Sequence, residues 1–217
     1  MPWPCVKLNS GVIVVVKKWL LAVAAGWILS TSYTISAAGD AVTGKTISAS
    51  CAACHGTDGN STNPQWPSLA GQHPDYIVKQ LQNFKSGARP NAIMAPMTAS
   101  LSEQDMQNLA AFFSSQKIKL GLADPEMVIL GEQIYRGGSL EAGLAACIGC
   151  HSPTGSGNPA ALFPSLSGQH AAYVVNQLKA FRDGQRTNDH ASMMRDIAAK
   201  MTEREMQAVA EYLQGLH

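Results

Sequence analysis

Charge and aromatic side chains are both scarce in this 217-residue chain, at 14% and 6% of residues. A formal net charge of +1 supplies no basic surface for nucleic acid and none of the charge excess of a disordered segment. Six per cent aromatics is thin filling for the cores of a chain long enough for one or two domains, so a large apolar group bound inside would help. Strand-like alternation is missing, as are a Ser/His/Asp order, a phosphate-binding loop and a separate metal cluster. The apolar run WLLAVAAGWIL, residues 19 to 29, is too short and too quickly polar for a good membrane span.

That run has another reading. Lys17 and Lys18 precede it, and small residues up to Ser36, Ala37 and Ala38 follow. Basic, apolar, then small is the order of an export signal. The reading is a signal peptide with an N-terminal extension over 1–38, cleaved after Ala37 or Ala38, with translation starting near Val16; an uncleaved anchor is the alternative. Cys5 would be lost with it, leaving Cys51, Cys54, Cys147 and Cys150. Residues 39–120 carry 6 basic and 5 acidic side chains, and 121–217 carry 7 and 10. Such lopsidedness can orient a molecule toward a charged partner.

The chain repeats itself. PSLAGQHPDYIVKQLQNFKSGARPN at 67–91 matches PSLSGQHAAYVVNQLKAFRDGQRTN at 164–188, CAACHG matches CIGCHS, and LSEQDMQNLAAFFS matches MTEREMQAVAEYLQ. Two units of this size are two domains and no solenoid; they are placed at 39–120 and 121–217, with the junction within 114–126. Each reads as three or four short helices. Tyr76, Ile77, Gln80, Leu81 and Phe84 share one helical face, as do Tyr173, Val174, Gln177, Leu178 and Phe181. Capping boxes are expected at Ser102/Asp105 and Thr202/Glu205, and Asp124-Pro125 is an N-cap followed by proline at N1.

Cys51-Ala-Ala-Cys54-His55 and Cys147-Ile-Gly-Cys150-His151 could hold zinc, run dithiol chemistry, form disulfides or tether haem. Zinc ribbons space their two Cys-x-x-Cys knuckles at about 15 to 20 residues, whereas these lie in different repeats. A dithiol site wants a βαβ context, and disulfides need no adjacent histidine. Covalent haem uses every part: two thiols add to two vinyl groups, and the next residue becomes the proximal iron ligand. The reading is two haem c groups per chain, bound through Cys51, Cys54, Cys147 and Cys150, with His55 and His151 on the irons. Pro67 and Pro164 follow those histidines by 12 and 13 residues. A backbone carbonyl there could fix the imidazole tautomer, although a simple turn proline explains them equally well.

The repeat also sorts the sixth ligands. Met94 falls on Met194, while Met97 falls on Ile197 and Met193 on Ile93. The other matched pair, Met106/Met206, sits on an amphipathic face where methionine is core filler. Met94 and Met194, in a loop before the last helix, are therefore the expected ligands. His73 and His170, next to Gln72 and Gln169, read as satisfying local hydrogen bonds, and His190 and His217 as surface groups. His/Met ligation raises the potential and leaves no open position, which favours electron transfer over enzymatic oxygen or peroxide chemistry.

These blocks, with YRGG at 135–138, GQHAAYVVNQL at 168–178 and the ending MRDIAAKMTEREMQAVAEYLQGLH, resemble the cytochrome c4 family over essentially all of 39–217. The resemblance implies an all-α protein of two tandem cytochrome c-like haem domains facing each other, with axial pairs His55/Met94 and His151/Met194. It implies a periplasmic electron carrier, at most loosely associated with the inner membrane, between respiratory-chain partners such as a quinol-oxidising complex and a terminal oxidase. An alternative is the electron-accepting dihaem subunit of a periplasmic sulfide or alcohol dehydrogenase. A dihaem peroxidase is a third reading and needs a vacant iron.

Overall fold

The computed structural model describes residues 38 to 217. The expected export segment, with Cys5, lies outside the described residues apart from Ala38. Five α-helices form in each repeat. In the first they are α1 (Ala41–Ile47), α2 (Ala52–His55), α3 (Pro74–Ser86), α4 (Met94–Thr98) and α5 (Glu103–Ser114). In the second they are α6 (Pro125–Gly137), α7 (Ile148–His151), α8 (Ala171–Arg182), α9 (Met193–Ala198) and α10 (Glu203–Gly215). Among the described residues the only strand-like pairings are the isolated bridges Ser139–Leu144 and Asn158–Phe163. The fold is all-α, with more helices per repeat than the sequence pattern suggests. The additional ones are α2, α4, α7 and α9, too short to show a helical period.

Local signals act where the sequence puts them. Ser102 with Asp105 and Thr202 with Glu205 form complete capping boxes. Asp124 accepts from the Glu126 N–H at 2.9 Å, ahead of Pro125. Pro74 opens α3. The apolar faces then converge: Ile77, Val78, Met106, Leu109 and Phe113 make the first core, and Val174, Leu178, Phe181, Met206 and Leu213 share the second with Tyr135.

In each repeat the first helix crosses the last at a glycine. A Cβ at Gly44 would run into the Asn108 carbonyl and lie 2.9 Å from the Phe112 Cβ. One at Gly131 would meet the Ala208 carbonyl and lie 2.8 Å from the Tyr212 Cβ. The two contacts are equivalent, since Asn108/Ala208 and Phe112/Tyr212 occupy matching positions. From Gly131 to Cys147 the second repeat is longer than the first, because residues 138–146 are inserted after α6 and carry the fully exposed Leu140.

The connection between repeats is fastened at both ends. Asn60 binds the Lys117 carbonyl and the Lys119 N–H. Two residues further on, the Gly121 N–H donates to the Gln214 carbonyl, and Gln214 Nε2 donates to the Leu122 carbonyl at 2.7 Å.

Candidate functional site

α2 and α7 are single turns built by the Cys-x-x-Cys-His segments. The His55 N–H donates to the Cys51 carbonyl at 3.0 Å and the His151 N–H to the Cys147 carbonyl at 2.9 Å. A helical turn puts positions i, i+3 and i+4 on one face, so both thiols and the imidazole of each segment point the same way. Cys51 packs against the first core and Cys147 against the second. None of the four cysteines forms a disulfide. Burial pushes the Cys51 thiol up and the Cys147 thiol to about 11, so neither ionises as a free thiol near neutral pH.

The imidazoles are buried and fixed. His55 Nδ1 donates to the Pro67 carbonyl at 2.9 Å, and His151 Nδ1 to the Pro164 carbonyl at 3.1 Å. A carbonyl can only accept, so Nδ1 carries the proton and Nε2 keeps its lone pair for a metal. Burial pulls both histidines below the usual range, partly opposed by those carbonyl bonds, so both are neutral. The two prolines thus do more than turn the chain.

The residue after each histidine leaves the turn with positive φ. Gly56 has φ 77° and ψ 159°, and Ser152 has φ 68° and ψ 163°, a region nearly reserved for glycine and costing about 1–3 kcal/mol otherwise. Ser152 Oγ offsets part of this by accepting from the Ser156 N–H at 3.0 Å and pairing with the Ser156 hydroxyl at 2.7 Å. Ser152→Gly is therefore expected to stabilise the second domain by up to about 1 kcal/mol, strain relief exceeding the loss of these two solvent-exposed bonds; a denaturation midpoint checks it. Tyr135, fully buried, donates to the Ser152 carbonyl at 2.6 Å and braces this turn.

Burial separates the methionines. Met106 and Met206 are fully buried in α5 and α10, and Met97 and Met193 are 42% and 37% exposed. Met94 and Met194 are half-buried, and Met194 packs against the second core, as Cys147 does. They lie in the single-turn helices α4 and α9, which corrects the expectation of a loop. Asn91 Oδ1 caps α4 by accepting from the Met94 N–H at 2.8 Å. The corresponding α9 is held by Asp189, which accepts from the Arg195 N–H and pairs with its Nε at 2.8 Å.

Between the repeats lies a polar interface that no local sequence pattern signals. Arg89 reaches Gln80 in its own repeat and Tyr173 and Gln177 in the other, at 2.7–3.0 Å. Arg186 mirrors it, with Gln177, Tyr76 and Gln80. Asn188 Nδ2 donates to Gln80 at 3.0 Å and to Asn83 at 2.7 Å. His73 and His170 also reach across: their Nε2 atoms lie 2.7 Å from the Ser156 carbonyl and 2.8 Å from the Ser61 carbonyl. The expected local bonds are present, each backbone N–H donating to the preceding glutamine, but the rings reach the other repeat. His190 and His217 are exposed, as expected.

Arg89 and Arg186 are 9% and 7% exposed, and neither forms an ion pair among the described residues. Each guanidinium lies over a phenyl ring, Phe84 at 4.6 Å and Phe181 at 4.5 Å. Burial pushes the Tyr76 phenol up, but the positive charges of Arg186 and Arg89 outweigh it and hold it below its usual value. A buried cation is costly unless compensated. Two of them hydrogen-bonded only to neutral acceptors, with Asp189 adding negative charge near Arg186, fit a group that brings its own carboxylates, as haem does with its propionates. The directed thiols, the neutral imidazoles and this excess of buried positive charge all suit haem c.

The site and fold together define a c-type cytochrome with two haem domains. The Cytochrome c family model matches residues 41–117 and 131–217. Cytochrome c4 of Azotobacter vinelandii is 51% identical over 83% of this chain and 91% of its own length. A thiosulfate dehydrogenase electron acceptor of Thiomonas intermedia is 40% identical over 76% of this chain and 77% of its own. The crystal structure of reduced recombinant cytochrome c4 from Pseudomonas stutzeri matches with a TM-score of 0.81 at 48% identity, covering 83% of this chain and 100% of that one. The chain belongs to the cytochrome c4 family. It is a dihaem electron-transfer protein with two covalent haem c groups.

Proposed function

We propose that the protein is a periplasmic carrier shuttling single electrons between respiratory-chain partners through two six-coordinate haems, His55/Met94 and His151/Met194, in domains 39–120 and 121–217. The thiols of Cys51, Cys54, Cys147 and Cys150 would hold the porphyrins as thioethers. Haem supplies reversible one-electron chemistry at iron. The chain's contribution is to hold it: His55 and His151 are kept neutral by burial and oriented by the Pro67 and Pro164 carbonyls. The observation that carries the reading is the matched pair Met94/Met194, the one repeated methionine pair left half-buried outside the long helices. With both axial positions filled, substrates and small ligands have no iron site, which separates a carrier from a peroxidase.

Export to the periplasm rests on the basic–apolar–small order of residues 17–38. No helix among the described residues is long and apolar enough to cross a membrane. A quinol-oxidising complex and a terminal oxidase are the partners the reading names. One relative's name favours a second reading, an electron acceptor serving a periplasmic dehydrogenase; stable co-purification with a catalytic subunit from native extract would support that over the free carrier.

The direct test is ligand access. Cyanide added to the native ferric protein is expected to leave the optical spectrum unchanged on the minutes scale, and peroxide not to be turned over. Rapid cyanide binding at either haem would overturn six-coordination there.

A further inference from the structure

Each carbonyl that holds a proximal histidine belongs to a peptide whose other end is gripped from the opposite repeat. The Pro67 carbonyl and the Ser68 N–H are two sides of one planar peptide unit. Pro67 O accepts from His55 Nδ1 at 2.9 Å, while the Ser68 N–H donates to Gln169 Oε1 at 2.9 Å. Gln169 Nε2 donates back to the Ser68 carbonyl, also at 2.9 Å. The mirror arrangement is complete. Pro164 O accepts from His151 Nδ1 at 3.1 Å, the Ser165 N–H donates to Gln72 Oε1 at 2.9 Å, and Gln72 Nε2 donates to the Ser165 carbonyl at 2.9 Å.

Neither glutamine is a loose surface group. Both are buried, as is Ser68. Each Oε1 also accepts the N–H of the following histidine, at 3.0 Å in His73 and 3.1 Å in His170, so the amide orientation is set from its own backbone. All four cross-repeat bonds measure 2.9 Å.

We propose that Gln169 is a positioning and tuning residue for the first haem and Gln72 for the second, each acting through a peptide of the other repeat. This rests on His55 and His151 being iron ligands. An acceptor on the peptide N–H polarises the amide and makes its carbonyl a better acceptor. A better acceptor for Nδ1–H makes the imidazole a stronger donor to iron, which favours the ferric state. The assignment is therefore crossed: loss of a glutamine in one repeat raises the potential of the haem in the other.

The test uses the full holoprotein, with a redox titration followed by NMR so that the two haems titrate separately. Gln169→Met keeps length and removes the acceptor. At fixed solution potential it is expected to raise the reduced-to-oxidised ratio of the first haem about three- to tenfold, the residue acting one hydrogen bond further from iron than the outer partners whose loss costs about 10–100-fold in metal affinity or activity, and to leave the second haem in place. Gln72→Met should give the converse. Gln169→Glu, which keeps a stronger acceptor toward Ser68, should move the first haem in the opposite direction. A shift in the haem of the glutamine's own repeat, equal shifts in both, or no shift in either methionine variant overturns the proposal. The ligand reading fails separately: retention of the first haem's low-spin spectrum in His55→Gly would remove it, and the crossed assignment with it, whatever the glutamine variants do.

Discussion

Met94→Ala is expected to lower the potential of the first haem by on the order of a few hundred mV, a fraction of the roughly 0.8 V over which axial ligands set haem potentials. The neutral thioether favours ferrous iron, and what replaces it, water or an oxygen or nitrogen donor, favours ferric. Each ~59 mV is a tenfold change in a one-electron equilibrium, so an electron entering the variant would stay on the second haem. The far-red methionine–iron band should fall by half, and disappear when Met194→Ala is added. Met97→Ala, at a 42% exposed neighbour, should change neither potential nor band. A Met94→Ala variant that kept its potential, or a Met97→Ala variant that lost it, would contradict the assignment.

The second large effect concerns packing and does not involve haem chemistry. Gly131→Ala places a methyl group against the Ala208 backbone, where α6 crosses α10. A backbone carbonyl cannot rotate away as a side-chain tip can, so the helices must separate, at about 3 kcal/mol. Gly137 ends the same helix and has nothing within 4 Å of its would-be Cβ; Gly137→Ala should be neutral or stabilising by up to about 1 kcal/mol. Denaturant midpoints of the two holoproteins check the contrast, and Gly44→Ala should reproduce the loss in the first domain. Equal stability of Gly131→Ala and Gly137→Ala would mean that the crossing adapts to the extra methyl.

Features decided within a few residues were legible in the sequence. Asp124, Ser102 and Thr202 cap the helices they precede because a cap needs only its own first turn. The proline carbonyls at 67 and 164 were open to two readings, and the geometry selects the bond to the histidines. Features that depend on distant partners stayed hidden. Gly44 and Gly131 look like weak points in a helix until the crossing helix is present. His73 and His170 look local in the sequence because the acceptors of their rings, Ser156 and Ser61, lie 83 and 109 residues away. The block at 67–91 and 164–188 did carry a signal in its length and fidelity. A two-fold-like contact uses the same patch twice, so both copies keep the letters that build it: Gln72/Gln169, Gln80/Gln177 and Arg89/Arg186.

Asn91 and Asn188 show what joining two such copies in one chain permits. They are the same residue at matched positions, yet Asn91 caps the helix of Met94 while Asn188 spans the interface to Gln80 and Asn83. In a pair of separate identical subunits, any substitution is made on both sides at once and each position must serve both environments. Covalent fusion lifts that constraint. One half can hand a task to a neighbour, as the second half hands helix anchoring to Asp189, and free its asparagine for other work without a change of letter. An alignment of the two halves therefore overstates how alike their duties are, and a substitution harmless at one site can be damaging at its twin.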